Sequence, residues 1–443
     1  MPIEKLAQFG QDYYLLSFDK KGVEAGGDPD AANGSFATRI LEDAAAAKPS
    51  HIFFYSHGWK GDLPAARQQY QDWIGAMLKL ETDKARFGAG FRPMYIGLHW
   101  PSLPFGDENL EGSFSAAVGA GPEAMVAEAL EKLDLEPGGA EAVRTIIEAH
   151  WADAAATELS PEVVAAYQEV ARKAQYRGGD LENGAERPPD EEGGEFRVEE
   201  SFQAANDMDA AADFGGGGLL GGVLGPMRQL SYWTMKKRAR SIGESGMHDF
   251  VGRLMQALPN TRFHLMGHSF GCIVVSSILG GKDGKVALPR PVESAVLVQG
   301  AVSLWSWAEK LPTGSGNGYF FPVLQRKGVK GPVVVTHSVH DRAVGYLYPL
   351  ASAMGFAGAD FNLGDFPKIG AIGKYGAQGS GLSENRPMLE ANGEYGFQGG
   401  RVYNLDSNKY IDEGGGLSGA HSDISGPEVA HAIWQAAEAG GKI

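Results

Sequence analysis

Strand-like and helix-like patterns alternate along the first hundred residues of the chain. Three short apolar runs predict strands: DYYLLSF (12–18), HIFFYSHG (51–58) and PMYIGLHW (93–100). Between them, residues 36–48 and 64–81 carry apolar side chains at helical spacing. Strands that alternate with helices form a mostly parallel sheet with helices on both faces, so an α/β fold is expected.

This alternation stops at about residue 103 and resumes at about residue 240. Ala- and Glu-rich helical patterns fill much of the interval, followed by an acidic polar stretch and then by DFGGGGLLGGVLGPM (213–227). Glycine costs a helix roughly 1 kcal/mol relative to alanine, so 213–227 is predicted to be a flexible connector or a mobile apolar flap. We therefore predict an α/β domain of residues 1–102 and 240–443, and a mainly helical cap or insertion of residues 103–239.

The second half of the α/β domain has the same rhythm. Its predicted elements are, in chain order, a helix at 245–259, strands at 262–266, 294–302, 331–341 and 401–406, and a helix at 425–441. In the first of these helices, Phe250, Leu254 and Leu258 form one apolar stripe, which is typical of an amphipathic helix.

The motif GHSFG (267–271) joins the predicted strand 262–266 to an apolar segment of helical length. A sharp strand-to-helix turn strains its central residue and needs small residues two positions before and after it, which Gly267 and Gly271 supply. Glycine occupies 63 of 443 positions, so the flanking strand and helix make the motif informative. Ser269 is predicted to be a nucleophile at the positive end of that helix.

A serine hydroxyl becomes a good nucleophile when a base takes its proton, and in this architecture the acid and base follow the serine. The histidines after the motif are His337, His340, His421 and His431. His431 falls on the polar face of the last helix, where we expect solvent, and the first two crowd the expected acid position. His421, in the loop before that helix, is the predicted base.

The acid should follow a strand end close to this base. Strand 294–302 ends without a carboxylate, so an acid on it is excluded, whereas Asp341 follows the buried valine run of 331–341 and is the predicted acid. Turn roles suit the other aspartates, which lie in Gly-rich loops or beside the base: Asp283, Asp360, Asp365, Asp406, Asp412 and Asp423.

Acyl transfer also needs two N–H groups aimed at the developing oxyanion. One is expected from Phe270, directly after the nucleophile, and the other from Trp59 in the loop YSHGWKGD after an early strand. His57 in that loop and His268 in the motif are expected to be structural: the first braces the loop by hydrogen bonding, and the second fills space under the turn.

Composition narrows the function classes. A net charge of −16 argues against wrapping nucleic acid or docking on an anionic membrane. The single cysteine, Cys272, excludes a disulfide framework and a Cys-based zinc site, and it is expected to be a buried, inert thiol. No basic start precedes an apolar stretch at the N-terminus, and no 18 apolar residues run together. We therefore expect no secretory signal or transmembrane segment, and a cytoplasmic location.

Four motifs follow one another along the chain: the HGW loop, GHSFG, HDRAV and GAHSD. In these, over about 51–102 and 241–437, the chain resembles the serine hydrolases of the α/β-hydrolase superfamily. The resemblance implies a sheet of about eight strands, the triad Ser269, Asp341 and His421, and hydrolysis through an acyl-enzyme. It implies no cofactor and no metal.

Two long segments depart from that family pattern. The insertion 103–239 precedes the motif, and a Gly- and aromatic-rich segment, 346–399, separates acid from base. Both are expected over the active-site end of the sheet, so the resemblance does not imply the shape of the pocket. Trp305 and Trp307, after strand 294–302, are expected either to line an acyl pocket or to cover surface as an aromatic pair.

The expected function is hydrolysis of a carboxylic ester with an apolar acyl group, in a small-molecule or lipid-like substrate. An acyltransferase, thioesterase or peptidase would use the same triad and is the related alternative. A non-catalytic binding protein on the same fold is the alternative from a different class.

Overall fold

A computed structural model describes residues 3–59, 62–103, 121–153, 156–174, 196–211, 222–311, 316–347, 362–363, 366–367, 370–414 and 418–442. Its strands are β1 (Ile3–Leu6), β2 (Gln11–Ser17), β3 (His51–Ser56), β4 (Pro93–His99), β5 (Arg262–His268), β6 (Ser294–Val298), β7 (Val333–His337), β8 (Asn362–Leu363), β9 (Phe366–Pro367), β10 (Ser383–Pro387) and β11 (Val402–Asp406). Its α-helices are Phe36–Ala47, Leu63–Lys79, Glu81–Ala85, Pro122–Lys132, Ala140–Ala152, Pro161–Lys173, Val198–Ala211, Gly225–Ile242, His248–Ala257, Gly271–Gly280, Phe321–Gln325, Ile372–Tyr375 and Pro427–Lys442.

The described part of the chain contains one nine-stranded sheet, in the order β1-β2-β4-β3-β5-β6-β7-β11-β10. β1 pairs with β2 in the antiparallel sense, and each pairing from β2 across to β10 is parallel. The α/β class and the mostly parallel sheet are therefore confirmed. In a parallel sheet the carboxyl ends of the strands meet at one edge, where ligands usually bind.

Alternate residues of the central strands face opposite sides of the sheet. In β3, Ile52 and Phe54 face one buried cluster, whereas Phe53 and Tyr55 face another. The first cluster includes buried residues of the helices Phe36–Ala47, His248–Ala257 and Gly271–Gly280, and the second those of Leu63–Lys79 and Pro427–Lys442. Two layers of helices therefore cover the sheet, which explains why the central strands consist mostly of buried, apolar residues.

The two edge strands were not predicted. β1 is only four residues long, and β10 has the sequence SENRP with alternately exposed side chains. Neither presents an apolar run, because an edge strand with a solvated face needs none. β10 also corrects the expectation for 346–399: at least this part of the segment extends the sheet beside β11, rather than lying over the active-site end.

The insertion has a hydrophobic core of its own. Four of its helices, Pro122–Lys132, Ala140–Ala152, Pro161–Lys173 and Val198–Ala211, contribute Met125, Ile146, Tyr167 and Val198 among others to one buried cluster. Residues 175–195 and 212–221, which include much of the acidic stretch and of the glycine-rich stretch, lie outside the described residues.

A long helix, Gly225–Ile242, links the insertion to the sheet. Its first turns place Met227 and Leu230 in the insertion core, and its later turns place Trp233 and Met235 in the core against the sheet. The predicted boundary at 239/240 thus falls inside a helix, and the end of the glycine-rich stretch is helical. Among the described residues, no helix is both long and apolar enough to cross a membrane.

Candidate active site

Ser269 occupies a strained turn between β5 and the helix Gly271–Gly280. Its φ is 55°, in the left-handed region that residues with a Cβ rarely adopt. A Cβ on Gly267 would lie 2.3 Å from the carbonyl oxygen of Gly271, and one on Gly271 would lie 2.2 Å from that of Ser56. Both contacts are too short to exist, so the turn requires glycine at both predicted positions.

The loop after β3 packs directly against this turn. A Cβ on Gly58 would lie 2.6 Å from the Cβ of Ser269, so the loop backbone can approach the serine only because residue 58 is glycine. Trp59 and Phe270, the predicted oxyanion-hole residues, both line the pocket that contains Ser269, and their rings are 5.8 Å apart. The structure therefore brings the two residues predicted to supply N–H donors to the same pocket as the predicted nucleophile.

The predicted acid and base form a direct pair. His421 Nδ1 lies 2.7 Å from Oδ2 of Asp341, which is completely buried just after β7. The loop that carries His421 is held there by the backbone, because Ala420 N donates to the carbonyl oxygen of His340 at 3.0 Å. A carboxylate can only accept, so Nδ1 donates in this contact, and Nε2 is the ring nitrogen left to act as a base in the neutral ring. His421 and Ser269 line the same pocket.

Two further contacts orient the carboxylate of Asp341. Val344 N donates to its Oδ1 at 3.0 Å, and Gln299 Nε2 donates to its Oδ2 at 2.9 Å. Sequence reasoning missed Gln299, which follows β6 where a carboxylate was sought and not found. An amide at that position was the available signal, because an amide can orient an acid that lies on the neighbouring strand.

The pocket around Ser269 has a volume of about 250 Å³. It is lined by Trp59, Ala65, Gln69, Tyr232, His268, Ser269, Phe270, Ala301, Ala343, Val344, Ser418, His421 and Ser422. One wall is aromatic, since the Tyr232 ring lies 5.6 Å from that of Trp59 and 5.2 Å from that of Phe270. Tyr232 comes from the helix Gly225–Ile242, and sequence reasoning missed it because it placed this residue in the insertion.

The two histidines predicted to be structural are buried and neutral. His57 Nδ1 donates to the carbonyl oxygen of Gly58 at 2.8 Å, and its Nε2 accepts from Trp100 N at 3.2 Å. Burial lowers the pKa of His57 to about 3. His268 Nε2 donates to the carbonyl oxygen of His421 at 2.9 Å, and burial lowers the pKa of His268 well below 6.5. These contacts brace the loop after β3 and the loop that carries His421.

The prediction for His431 was wrong. This side chain is only 2% exposed: Nδ1 lies 2.7 Å from Asp83 Oδ2, and Nε2 lies 2.8 Å from the carbonyl oxygen of Gly393. The helix Pro427–Lys442 is covered on its polar side by the helix Glu81–Ala85 and by the chain around Tyr395, whose ring is 5.8 Å from that of His431. The apolar stripe of this helix identifies only the side that packs against the sheet, so the burial of its polar side could not be predicted from that pattern.

The tryptophans after β6 lie away from this pocket. Neither Trp305 nor Trp307 belongs to its lining, so the prediction that they line an acyl pocket is wrong for the pocket described here. They do not cover surface either, since both are buried: Trp305 packs with Leu311, and the Trp307 ring lies 5.7 Å from that of Phe320.

The remaining polar candidates have local roles. Asp406 Oδ1 accepts from Asn408 N, and Asp423 Oδ2 accepts from two backbone N–H groups, as expected of turn residues. Asp360 and Asp365 lie outside the described residues. Cys272 is completely buried, and burial raises the pKa of its thiol, as expected for an inert side chain.

Across the described ranges, His, Cys, Asp and Glu side chains do not gather in groups of three or more that could hold a metal ion. No protein-family model, curated protein or solved structure gives a significant match to this chain. The function must therefore be inferred from the geometry of the site itself.

Proposed function

We propose that this protein is a serine hydrolase with an α/β-hydrolase fold, which cleaves a carboxylic ester through an acyl-enzyme. The observation that carries the proposal is the 2.7 Å contact between His421 Nδ1 and the buried Asp341, in a pocket shared with a serine at a φ of 55°. An imidazole oriented by a buried carboxylate, in the same pocket as the nucleophile, is the arrangement that general-base catalysis by histidine requires. An ordinary turn serine has no such neighbour.

In the proposed reaction, Ser269 Oγ attacks the ester carbonyl carbon while its proton passes to His421 Nε2. The carbonyl oxygen becomes an oxyanion and accepts hydrogen bonds from the backbone N–H groups of Phe270 and Trp59. The carbon–alcohol bond then breaks, and His421 returns its proton to the departing alkoxide. Water, deprotonated by the same nitrogen, then attacks the acyl carbon; the bond from that carbon to Ser269 Oγ breaks, Oγ takes the proton back from His421, and the acid is released. Asp341 stays ionised and stabilises the imidazolium in both halves.

The aromatic wall supports an apolar acyl group. Trp59, Tyr232 and Phe270 are joined by ring contacts of 5.2 to 5.8 Å, and Ala301 and Val344 extend the apolar lining. Apolar side chains release free energy when an acyl chain covers them, in proportion to the area removed from water. A small-molecule or lipid-like ester is therefore the substrate class that this lining favours.

A fluorophosphonate probe tests the proposal. It should label Ser269 covalently, and peptide mapping should find the adduct on GHSFG, because a strained serine with a base and two N–H donors stabilises the tetrahedral adduct. Ser269→Ala should abolish labelling and turnover of p-nitrophenyl esters while unfolding at the temperature of the parent. Absence of labelling in folded wild-type protein, or labelling at another serine, would contradict the nucleophile assignment and favour a binding protein.

The leaving group requires a separate comparison. Matched esters, thioesters and anilides with one acyl group should be assayed in parallel, with and without an added alcohol acceptor. Faster turnover of the ester, with water as the dominant acceptor, is the expected result. Preferential transfer to the added alcohol would identify an acyltransferase that uses the same triad.

A further inference from the structure

Gln299 makes an unusual set of contacts directly after β6. It is completely buried, and its φ is 47°. Its backbone N–H donates to Thr336 Oγ1 at 3.0 Å, its Oε1 accepts from the same hydroxyl at 3.1 Å, and its Nε2 donates to Asp341 Oδ2 at 2.9 Å. One side chain therefore connects β7, through Thr336, to the acid that follows β7.

The threonine fixes which end of the amide faces the acid. Thr336 Oγ1 already accepts the backbone N–H of Gln299, so its own proton is free to be donated to Gln299 Oε1. The NH₂ end must then point to the carboxylate of Asp341. An amide turned the other way would set Oε1 against a carboxylate oxygen and would leave two acceptors in contact.

The backbone conformation of Gln299 indicates that this position holds a glutamine because of its side chain. A φ of 47° is unfavourable for a residue with a Cβ, and glycine adopts it without steric conflict. A position needed only for the turn would be best filled by glycine. Glutamine instead keeps a strained backbone and places a buried amide against a buried acid, and strain of this kind is typical of functional sites.

We propose that Gln299 is the positioning residue of the acid–base pair: its amide holds Asp341 Oδ2 toward His421 Nδ1 and limits the basicity of that oxygen. This inference rests on the proposed function. Oδ2 accepts from both Gln299 and His421, while Oδ1 accepts from Val344 N. Removal of the amide leaves one lone pair of a buried carboxylate without a donor, so the carboxylate turns or binds the imidazolium more strongly. A base that is held protonated more strongly is less available to Ser269 at a given pH.

Other titratable groups act on the pair and do not change this expectation. The His268 ring lies 4.8 Å from that of His421, but burial keeps His268 neutral. Lys374 donates its Nζ to the carbonyl oxygen of Val339, and the charge of Asp341 acts on it against the effect of burial. Both are unchanged in a variant of Gln299, so they form a constant background.

The test compares three substitutions at one position. Gln299→Met keeps the length of the side chain and removes the donor. We expect kcat for a p-nitrophenyl ester to fall about tenfold, with KM within about twofold, and the acid limb of kcat/KM to move to higher pH. Gln299→Glu, which places a carboxyl group against Asp341, should move the limb further in the same direction. Gln299→Gly is the control for a purely backbone role, because it relieves the strained φ and removes the amide.

The inference is supported if both variants that lack the amide, Gln299→Met and Gln299→Gly, lose rate and shift the acid limb of kcat/KM. The same shift should appear when the ring protons of His421 are titrated by NMR, which needs no turnover. Thr336→Val should give a smaller loss, since the amide is then free to turn. A Gly or Met variant with the wild-type kcat, pH profile and His421 titration would overturn the inference while ester hydrolysis by the parent stands. A parent that neither labels at Ser269 nor cleaves esters overturns the proposed function, and the inference with it.

Discussion

The ring of His268 is hydrogen-bonded to the main chain of His421: Nε2 of His268 donates to the carbonyl oxygen of His421 at 2.9 Å. The residue next to the proposed nucleophile thus holds the backbone of the proposed base. A carbonyl oxygen can only accept, so Nε2 of His268 carries the proton of this hydrogen bond, and burial, which lowers the pKa of His268, disfavours a second proton on the ring. The serine and the histidine are therefore linked through the protein as well as across the pocket.

His268→Phe should lower kcat/KM by more than its loss of stability accounts for. Loss of the hydrogen bond frees the loop of His421, and a displacement of about 1 Å at a catalytic group can cost roughly tenfold to a hundredfold in rate. His264→Phe is the matched control, since His264 is also buried on β5 but bonds to Ser294 Oγ instead. The two variants should show similar losses in Tm, with kcat/KM reduced only by the first. Equal kcat/KM values would show that the His268 contact does not position the base.

Asp341→Asn should leave the fold intact and reduce kcat/KM by roughly a thousandfold to ten-thousandfold. The amide donates to His421 Nδ1, so it favours the tautomer whose Nε2 is already protonated and cannot accept the serine proton. Asp406→Asn supplies the comparison, because Asp406 lies at the end of the neighbouring strand β11 but is exposed and serves a turn. We expect the second variant to keep kcat/KM within about twofold, as surface changes normally do. A nearly active Asp341→Asn enzyme would mean that another carboxylate orients the base.

Tyr232→Ala should change the acyl preference. The Tyr232 ring, with those of Trp59 and Phe270, forms the aromatic wall of the pocket. Without it, esters with short acyl groups should lose apolar contact and about tenfold in kcat/KM, while longer or bulkier acyl groups should be accepted better. Tyr232→Phe keeps the ring and should keep the profile. An unchanged profile across an acyl-length series in the alanine variant would place the acyl group elsewhere.

Sequence patterns predicted the parts of this molecule that packing leaves little freedom to vary. β3 and β5 are covered on both faces, so most of their residues are apolar, and GHSFG must have glycine where Gly267 and Gly271 touch other backbone. The order of the strand ends along the chain then led to the prediction of Asp341 as the acid and His421 as the base. The sheet class followed from the same periodicity, because alternating strands and helices leave few other arrangements.

Other features depend on contacts that no single segment encodes. The polar face of the helix Pro427–Lys442 is buried because a distant helix supplies Asp83 as a partner for His431. Tyr232 lines the pocket because one helix continues from the insertion core to the sheet, and Gln299 matters because the next strand brings an acid beside it. In each case the deciding partner lies far away in sequence, so local periodicity carries no information about it.

The buried contact between His431 and Asp83 should be a major source of stability. Both ring nitrogens meet acceptors, the carboxylate of Asp83 and the carbonyl oxygen of Gly393. Asp83→Ala leaves a buried ring nitrogen without its partner and should lower the free energy of unfolding by about 1–3 kcal/mol. A double-mutant cycle tests this: denaturant unfolding is measured for Asp83→Ala, for His431→Phe and for the variant that carries both. Strictly additive losses would show that the two side chains do not interact.

Acid should destabilise the folded protein through its buried histidines. Burial lowers the pKa of His51 and of His99 to about 4 and that of His57 to about 3, against about 6.5 in an unfolded chain. Between pH 6.5 and 4 the unfolded state therefore binds protons that the folded state does not. The free energy of unfolding is highest above pH 6.5 and declines as the pH falls toward 4, by about 1.4 kcal/mol per pH unit for each such histidine.

His51→Phe isolates one of these contributions. His51 is buried among the rings of Phe87, Phe91 and His264, so a phenyl ring fits the chemistry of its surroundings and does not titrate. Urea unfolding at pH 7 and pH 5 should show a smaller loss of stability in the variant than in the parent, by about 2 kcal/mol. Ser50→Ala, next to it, removes the hydroxyl that contacts His51 Nδ1 without removing the titrating ring, and should keep the parental pH slope. Parallel pH slopes for His51→Phe and the parent would mean that His51 is protonated in the folded protein.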